Sequence, residues 1–310
     1  MKPGRDETGA RECTKSRARA VSPRAKAGHR GGGLPWEFKA VKRLPLVYGL
    51  SLCAACLISS PARAEEARDL CPDRPGLGTP ACTVAPGTVV GEMGLIDWTR
   101  ESDGAARTDT IAAGDMLLRI GLTGSLEMQA GWTAYGHART RDKVTGRIGK
   151  VSGVGDVTLA LRQNLRNPDG SGFSLAVMPY VTLPVGGAPL GAGDWSAGLL
   201  VPLSFALNDT VSLALTPQVD AAADGDGDGR HLRFGNVFGL GFALTDSLSA
   251  STEIALYRDR DPAGHATEAL LGLSAAWQPN DAMQFDVGLN LGLNRESPDS
   301  QLYLGVVRRF

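Results

Sequence analysis

The sequence predicts an all-β protein: a transmembrane up-and-down antiparallel β-barrel, most simply of twelve strands. Three observations support this: a long strand-like alternation, a regular series of tight turns, and an alternating C-terminal strand that ends at Phe310. The longest alternation runs from Met283 to Asn294, with apolar residues at the odd positions and polar residues or glycine at the even ones. Such a strand has one dry face, exceeds the about five or six residues usual in soluble sheets, and is long enough to cross a bilayer when tilted.

The N-terminal part of the chain predicts an exported protein. Residues 1–37 are rich in Arg, Lys, Gly and Ser without an apolar period, which predicts a disordered extension or a start site placed too early. Residues 38–64 have the order of a secretory signal peptide: basic residues, an apolar run over 44–58, and small residues at Ala62 and Ala64 around a cleavage site. That run is shorter than the roughly 20 residues of a helical membrane span.

Cleavage after Ala64 changes the charge of the chain. Residues 65–310 hold 19 Lys or Arg and 29 Asp or Glu, a net charge of about −10. This charge argues against a nucleic-acid partner, for which a basic face would be expected. No apolar run of about 18 residues follows residue 64, which excludes a helical membrane protein. Lipidation at Cys56 is an alternative to cleavage, although Leu52 lies one place too far from it for a lipidation box.

Residues 65–87 precede the first predicted strand, and we expect them to form a periplasmic segment. They contain the two cysteines that remain after cleavage, Cys71 and Cys82. In an oxidising compartment, two cysteines without other metal ligands nearby usually form a disulfide. Closing a loop of this size would stabilise the chain by roughly 3 kcal/mol in the chain-entropy model.

Residues 88–310 repeat one plan, in which an alternating run, a tight turn, a returning run and a more polar loop follow each other. Tight turns rich in Asn, Asp, Gly, Pro and Thr, with the backbone preferences of hairpins, begin at 122, 167, 207, 244 and 279. The more polar loops lie over 101–107, 137–152, 186–193, 222–230, 259–264 and 295–298. We therefore predict strands near 88–100, 108–122, 125–137, 153–166, 172–184, 194–206, 210–221, 231–244, 247–258, 265–278, 282–294 and 299–310. An even count suits a bacterial outer-membrane barrel, with short turns toward the periplasm and longer loops outside.

The C-terminus separates a membrane barrel from a soluble β-sandwich, whose strands would alternate too. Phe310 ends a strand whose apolar positions 302, 304 and 306 share its phase, the kind of signal that the barrel assembly machinery recognises. Arg308 shares that phase and would face lipid near the interface, where the cost is about 0 to 1 kcal/mol.

Three prolines conflict with regular strands. Pro179, Pro202 and Pro217 lie inside predicted strands, where each removes a ladder hydrogen bond. We expect them at bulges or at the barrel rim.

The residues that could carry chemistry predict neither a catalytic site nor a cofactor. The exported chain has three histidines, His137, His231 and His265, all near the ends of predicted outer loops, and no G-x-S-x-G motif. We expect solvated loop residues. Residues 224–229 resemble the start of a calcium loop, but Gly235 occupies position twelve, where a bidentate Glu is required. We expect a flexible acidic loop there and no metal site.

Polar residues on the inward phase of the predicted strands are the candidates to line a lumen. A barrel of twelve strands can hold a narrow channel or an interior filled by paired side chains, and both interpretations remain open. The candidates are Glu127, Gln129, Asp156, Arg162, Tyr180, Glu253, Glu268, Asp286 and Asn290.

Several short motifs resemble a known family. They are the Cys71 to Cys82 segment that leads into Pro86-Gly87, the sequence Gly153-Val154-Gly155-Asp156, the turn Leu244-Thr245-Asp246-Ser247 and the final Arg309-Phe310. Together they resemble the outer-membrane proteins grouped as the putative meta-pathway of phenol degradation family, over nearly all of residues 71–310. The resemblance implies an outer-membrane barrel of a Gram-negative bacterium that serves the uptake of aromatic or other hydrophobic compounds. No binding residue carries over.

The main functional hypothesis is a passive uptake channel for small, aromatic or hydrophobic solutes. Its expected partners are outer-membrane lipid, the barrel assembly machinery and the solute itself, with no nucleic acid and no cofactor. A closed barrel with a structural or surface-interaction role is the alternative. An outer-membrane lipid-modifying enzyme is the third.

Overall fold

The computed structural model describes residues 68–226 and 229–310, and in this part of the chain twelve antiparallel strands close into a barrel. The predicted extension 1–37 and the signal peptide 38–64 lie outside the described residues. Within the described ranges, no helix has the length and apolar character needed to cross a membrane.

The strands follow one another around the barrel in chain order. Each pairs with the next, and the last pairs with the first, so the ladder has no free edge. Their bounds are β1 Val89–Ser102, β2 Ala106–Gly121, β3 Leu126–Asp142, β4 Ile148–Gly153 with Val157–Arg166, β5 Phe173–Leu183, β6 Ser196–Leu200 with Leu203–Ala206, β7 Val211–Ala223, β8 Arg230–Ala243, β9 Leu248–Asp261, β10 Gly264–Asn280, β11 Met283–Gly292 and β12 Ser300–Arg309. The predicted barrel of twelve strands is confirmed.

The inner and outer faces of the barrel strands, which together form its wall, differ in exposure and polarity as the alternation predicts. In β11, Phe285 and Val287 are 41% and 48% exposed, whereas Asp286 is only 6% exposed. An apolar outer band with polar residues inside is the pattern of a barrel solvated by lipid. The odd positions of this strand therefore face outward and the even ones face the interior.

Two strands are interrupted, one of them by a proline. Pro202 stands in the gap of β6, as the loss of its N–H requires. Pro179 and Pro217 pair with neighbouring strands without a change of register, so the expectation of bulges or rim positions is wrong for these two. Pro217 instead faces the gap in β6, where its carbonyl accepts a hydrogen bond from Val201 N at 2.9 Å.

The predicted polar loop over 137–152 is mostly strand. β3 continues to Asp142, and β4 begins at Ile148 after a short turn. Outside the hydrocarbon layer both faces of a hairpin meet water, so the ladder continues while the apolar alternation ends. Loss of alternation therefore marks the boundary of the apolar band rather than the end of the strand.

Candidate functional site: the barrel interior

The described part of the N-terminal segment lies inside the barrel. We call residues 68–85 the plug. We expected residues 65–87 in the periplasm, whereas the plug contacts inward-facing side chains of the wall on several sides. The wall carries buried charged groups there, and the plug supplies the backbone and side-chain partners that such groups need.

The predicted disulfide between Cys71 and Cys82 closes the plug into a hairpin-like loop. Its two halves run back from the disulfide to a tip, residues 75–79. Both cysteine carbonyls accept hydrogen bonds from wall arginines: Cys71 O from Arg119 Nη1 at 2.6 Å and Cys82 O from Arg162 Nη1 at 3.2 Å. The disulfide therefore marks the anchored base of the plug.

Arg119 on β2 is at the centre of the contacts that hold the base of the plug. Its guanidinium is fully buried, donates to both carboxylate oxygens of Glu127 at 3.0 Å, and lies 3.1 Å from Glu92 Oε1. The same carboxylates accept backbone N–H groups of the plug: Glu127 from Val84 at 2.7 Å, and Glu92 from Asp73 and Arg74 at 2.9 Å each. Fork-shaped donation to a carboxylate is a strong and geometrically specific contact. Wall and plug thus share one buried network.

Asp73 is the plug's own charge in this network. Its carboxylate lies 2.7 Å from Arg162 Nη2 and 3.1 Å from Arg119 Nη1. Burial raises the pKa of Asp73, but the two guanidinium groups outweigh burial, and the pKa lies below its usual value. The carboxylate is therefore ionised at neutral pH and binds the plug to β2 and β4.

Strands β11 and β12 hold the next part of the plug. Arg74 Nη2 lies 3.0 Å from Asp286 Oδ1, and its guanidinium lies over the ring of Tyr303, 5.4 Å from the centroid. The Tyr303 hydroxyl accepts a hydrogen bond from Gly76 N at 3.0 Å, and Gln284 donates to Arg74 O at 2.8 Å.

The tip reaches the opposite wall. Glu253 on β9 accepts the N–H groups of Leu77 and Gly78 at 2.6 and 3.1 Å. Thr216 Oγ1 on β7 accepts from Thr79 N and donates to Thr79 O, each at 3.1 Å. The plug therefore spans the lumen from β2 to β9.

A cavity of about 560 Å³ remains beside the plug, at the end of the barrel that carries the tight turns. Residues 69–72, 74, 75, 80 and 82 of the plug form part of its lining. The wall side is formed by small and polar residues of β6 to β11, among them Ser204, Ser212, Gly241, Ser251, Ser274 and Gln284. We call this space the turn-side cavity.

The opposite half of the lumen, toward the long loops, holds a second set of polar contacts. Tyr180 donates to Asp220, Arg233 donates to Glu268 at 3.1 Å, and the Arg233 guanidinium lies 4.3 Å from the ring centroid of Tyr257. We call these five residues, with Gln218, the loop-side cluster.

Seven of the nine predicted lumen candidates lie in these regions. Those beside the plug are Glu127, Gln129, Arg162, Glu253 and Asp286, and those in the loop-side cluster are Tyr180 and Glu268. Asn290 donates to Gln301, and Asp156 accepts N–H groups of Gly186 and Ala192 in the loop after β5. The structure thus brings most of them into one interior, though not into one site.

Sequence reasoning missed several residues that contact the plug, and four of them show why. Glu92, Arg119, Thr216 and Tyr303 all lie in predicted strands, and all four are buried. A charged residue within an apolar strand must face inward, and this rule alone would have found Glu92 and Arg119. Nothing in the local pattern singles out Thr216 or Tyr303.

The histidines differ from one another. His231 is not a solvated loop residue: its side chain is 5% exposed and lies 2.9 Å from Asp224 and 2.7 Å from Asp259. His137 Nδ1 lies 2.7 Å from Ser152 Oγ, but its neighbour on β2 is Ile111, which cannot orient an imidazole.

The acidic loop is only partly described, because residues 227 and 228 lie outside the described ranges. Gly225 N, within this loop, donates to Asp261 at 2.7 Å. In the described residues, no cluster of three or more His, Cys, Asp or Glu side chains could hold a metal ion.

Phe310 lies at the turn end of the wall. Its N–H donates to Val89 O at 2.8 Å, and the residue is 72% exposed. Arg308 faces outward two residues before the end of the chain, with its guanidinium 5.5 Å from the ring centroid of Phe310.

A family model and one solved structure agree with this architecture. The family model described as Putative MetA-pathway of phenol degradation matches residues 72–310. An outer membrane channel from Pseudomonas putida F1 has a TM-score of 0.61 at 18% identity, covering 76% of this chain and 99% of that one. The CymD monoaromatic hydrocarbon channel is less similar, with a TM-score of 0.42 at 10% identity over 73% and 88% of the two chains. No curated protein matches. The similarity to the Pseudomonas putida channel supports the fold.

Proposed function

Because the chain belongs to the Putative MetA-pathway of phenol degradation family, we propose that it is an outer-membrane channel for passive uptake of small solutes, aromatic and other apolar compounds included. The observation that carries this proposal is the cavity of about 560 Å³ between the plug and the inner wall. A barrel with only a structural role has no need of such a space, because paired side chains could fill it.

The channel is favoured over the two alternatives. The plug fills the side of the lumen next to β1 to β4, but at the turn end it leaves room beside β7 to β10, which a closed structural barrel does not explain. A lipid-modifying enzyme would need a nucleophile, a base and an orienting group in contact. His137 and Ser152 supply a contact of 2.7 Å, and the residue paired with His137 on β2 is the apolar Ile111.

The lumen candidates take two roles in this proposal. Glu127, Gln129, Arg162, Glu253 and Asp286 hold the plug, and the remaining four, Asp156, Tyr180, Glu268 and Asn290, face solute. Sec-type export would deliver the chain to the outer membrane of a Gram-negative bacterium. The exposed Phe310 would then present the C-terminal strand to the barrel assembly machinery, and the apolar outer band would contact lipid.

Flux into proteoliposomes tests the proposal. Benzenesulfonate and phenyltrimethylammonium are suitable probes, because their permanent charges keep them from crossing bare lipid. Vesicles that contain the folded protein should take up at least one of them faster than empty vesicles, and a large dextran should stay outside. Equal uptake of both probes by the two kinds of vesicle would refute a channel and favour the structural barrel.

A further inference from the structure

The inner face of the wall has the same order of contacts on four neighbouring strands. From the turn end, β7 presents Ser212 to the turn-side cavity, then Thr216 to the tip, then Asp220 to the loop-side cluster. β9 follows the same order with Ser251, Glu253 and Tyr257.

Strands β8 and β10 repeat this order. On β8, Gly241 lines the turn-side cavity and Arg233 belongs to the loop-side cluster; between them, Val237 Cγ1 lies 3.5 Å from the Cβ position of Gly78. On β10, Ser274 lines the cavity, Gly272 meets Leu77 of the tip, and Glu268 joins the cluster. Along all four strands, the tip lies between the turn-side cavity and the loop-side cluster.

The plug is attached unequally to the two sides of the barrel. Toward β2 and β4 its base makes buried ion pairs through Asp73 and is closed by the disulfide. Toward β7 and β9 its polar contacts are backbone groups of the tip on two side chains, Glu253 and Thr216.

The tip has the backbone of a movable segment. Gly76 has a φ of +125°, a conformation that favours glycine, and Gly78 follows two residues later. Pro75 begins the tip and Pro80 directly follows it, and neither proline has a backbone N–H that could donate to the wall. The tip can therefore change conformation while the base stays bound.

We propose that solute passes between the plug and strands β7 to β10, and that the tip, residues 75–79, is a gate held shut by Glu253 and Thr216. This inference rests on the proposed channel function. When the tip leaves these two side chains, the turn-side cavity and the loop-side cluster face one continuous space. The base need not unbind, and Arg119 and Arg162 keep the plug inside the barrel.

The first test releases the tip. Glu253→Ala combined with Thr216→Val removes the acceptors of the Leu77, Gly78 and Thr79 N–H groups. It leaves the Gly76 N–H on Tyr303 and the base contacts unchanged. The loss of even one hydrogen bond to a charged group predicts a rise of roughly tenfold or more in the open fraction, measured as single-channel open time in a planar bilayer. Thr252→Val, on the same strand but on the opposite face, should behave as wild type. Each variant is first checked for heat-modifiable gel mobility, which reports a folded barrel.

The second test locks the tip. Gly78→Cys with Val237→Cys places two thiols where the Gly78 Cβ position and Val237 Cγ1 are 3.5 Å apart. Oxidation should abolish flux through this variant, and reduction should restore it. Wild type with and without the reductant is the control, because the reductant also opens the Cys71–Cys82 bond.

The outcomes separate the gate from the channel. If wild type conducts and neither variant differs from it, the gate is wrong and the channel stands. If the locked variant conducts as well as wild type, solute does not pass the tip. If neither wild type nor the release variant conducts, the gate and the proposed function fail together.

Discussion

Arg119→Ala should detach the base of the plug while the barrel remains closed. Arg119 contacts Glu92, Glu127 and Asp73 at 3.0 to 3.1 Å, and it also donates to Cys71 O at 2.6 Å. Its removal leaves Asp73 and Glu127 with Arg162 as their guanidinium partner, and leaves Glu92 with only the backbone N–H groups of Asp73 and Arg74 among these contacts. Breaking a buried ion pair from one side costs about 3 to 5 kcal/mol, because a charge is left without compensation.

This cost converts into a measurable change in plug release. A difference of about 3 to 5 kcal/mol shifts an equilibrium by a factor of roughly one hundred to several thousand. Part of the cost falls on the wall, since Glu92 and Glu127 belong to β1 and β3. We therefore expect the lower end of this range for release of the plug.

The Cys71–Cys82 disulfide supplies the assay. In the closed state Cys82 is only 4% exposed. Reduction by a phosphine, followed by a maleimide that shifts the band on a gel, should proceed about a hundredfold faster in Arg119→Ala than in wild type. Arg100→Ala is the matched control, because Arg100 pairs with Asp109 on a partly exposed part of the wall. An unchanged reduction rate in Arg119→Ala, in protein with normal heat-modifiable mobility, would refute the anchoring role of Arg119.

Two further predictions concern the lipid face and pH. Val287→Arg places a cation on the outer face of β11 and should lower the free energy of unfolding from liposomes by about 2 to 4 kcal/mol. Val144→Arg, in an exposed turn outside the wall, should leave that free energy unchanged. A denaturant titration measures both. Because the pKa of Asp73 is lowered in the folded state, its contribution to plug binding is complete above its ordinary value of 3.8 and is lost as pH falls below it. The disulfide reduction rate should therefore be flat from neutral pH down to about 4 and rise below it; a rise between pH 7 and 5 would contradict this assignment.

The sequence predicts the wall well because lipid forces a difference between its two faces. Phe285 and Val287 must be apolar where Asp286 need not be, so the alternation of β11 can be seen without a structure. The same reasoning fails over 137–152, because water on both faces removes the pattern while the hydrogen-bond ladder continues.

The plug could not be located from its own sequence. Its residues have no period, and its contacts are backbone groups and a few charges whose partners lie far away in the chain, as with Arg74 and Asp286. Inward charges such as Glu92 and Arg119 do indicate that something in the lumen must compensate them. They do not indicate which segment supplies the compensation.

Planar-bilayer recording of the wild-type protein tests the central claim most directly, namely that a closed wall encloses a path for small solutes beside the plug. We predict discrete conductance steps, with an open time that increases when Glu253 and Thr216 are replaced. A folded, heat-modifiable protein that inserts into the bilayer and shows no steps, with or without those replacements, would contradict it.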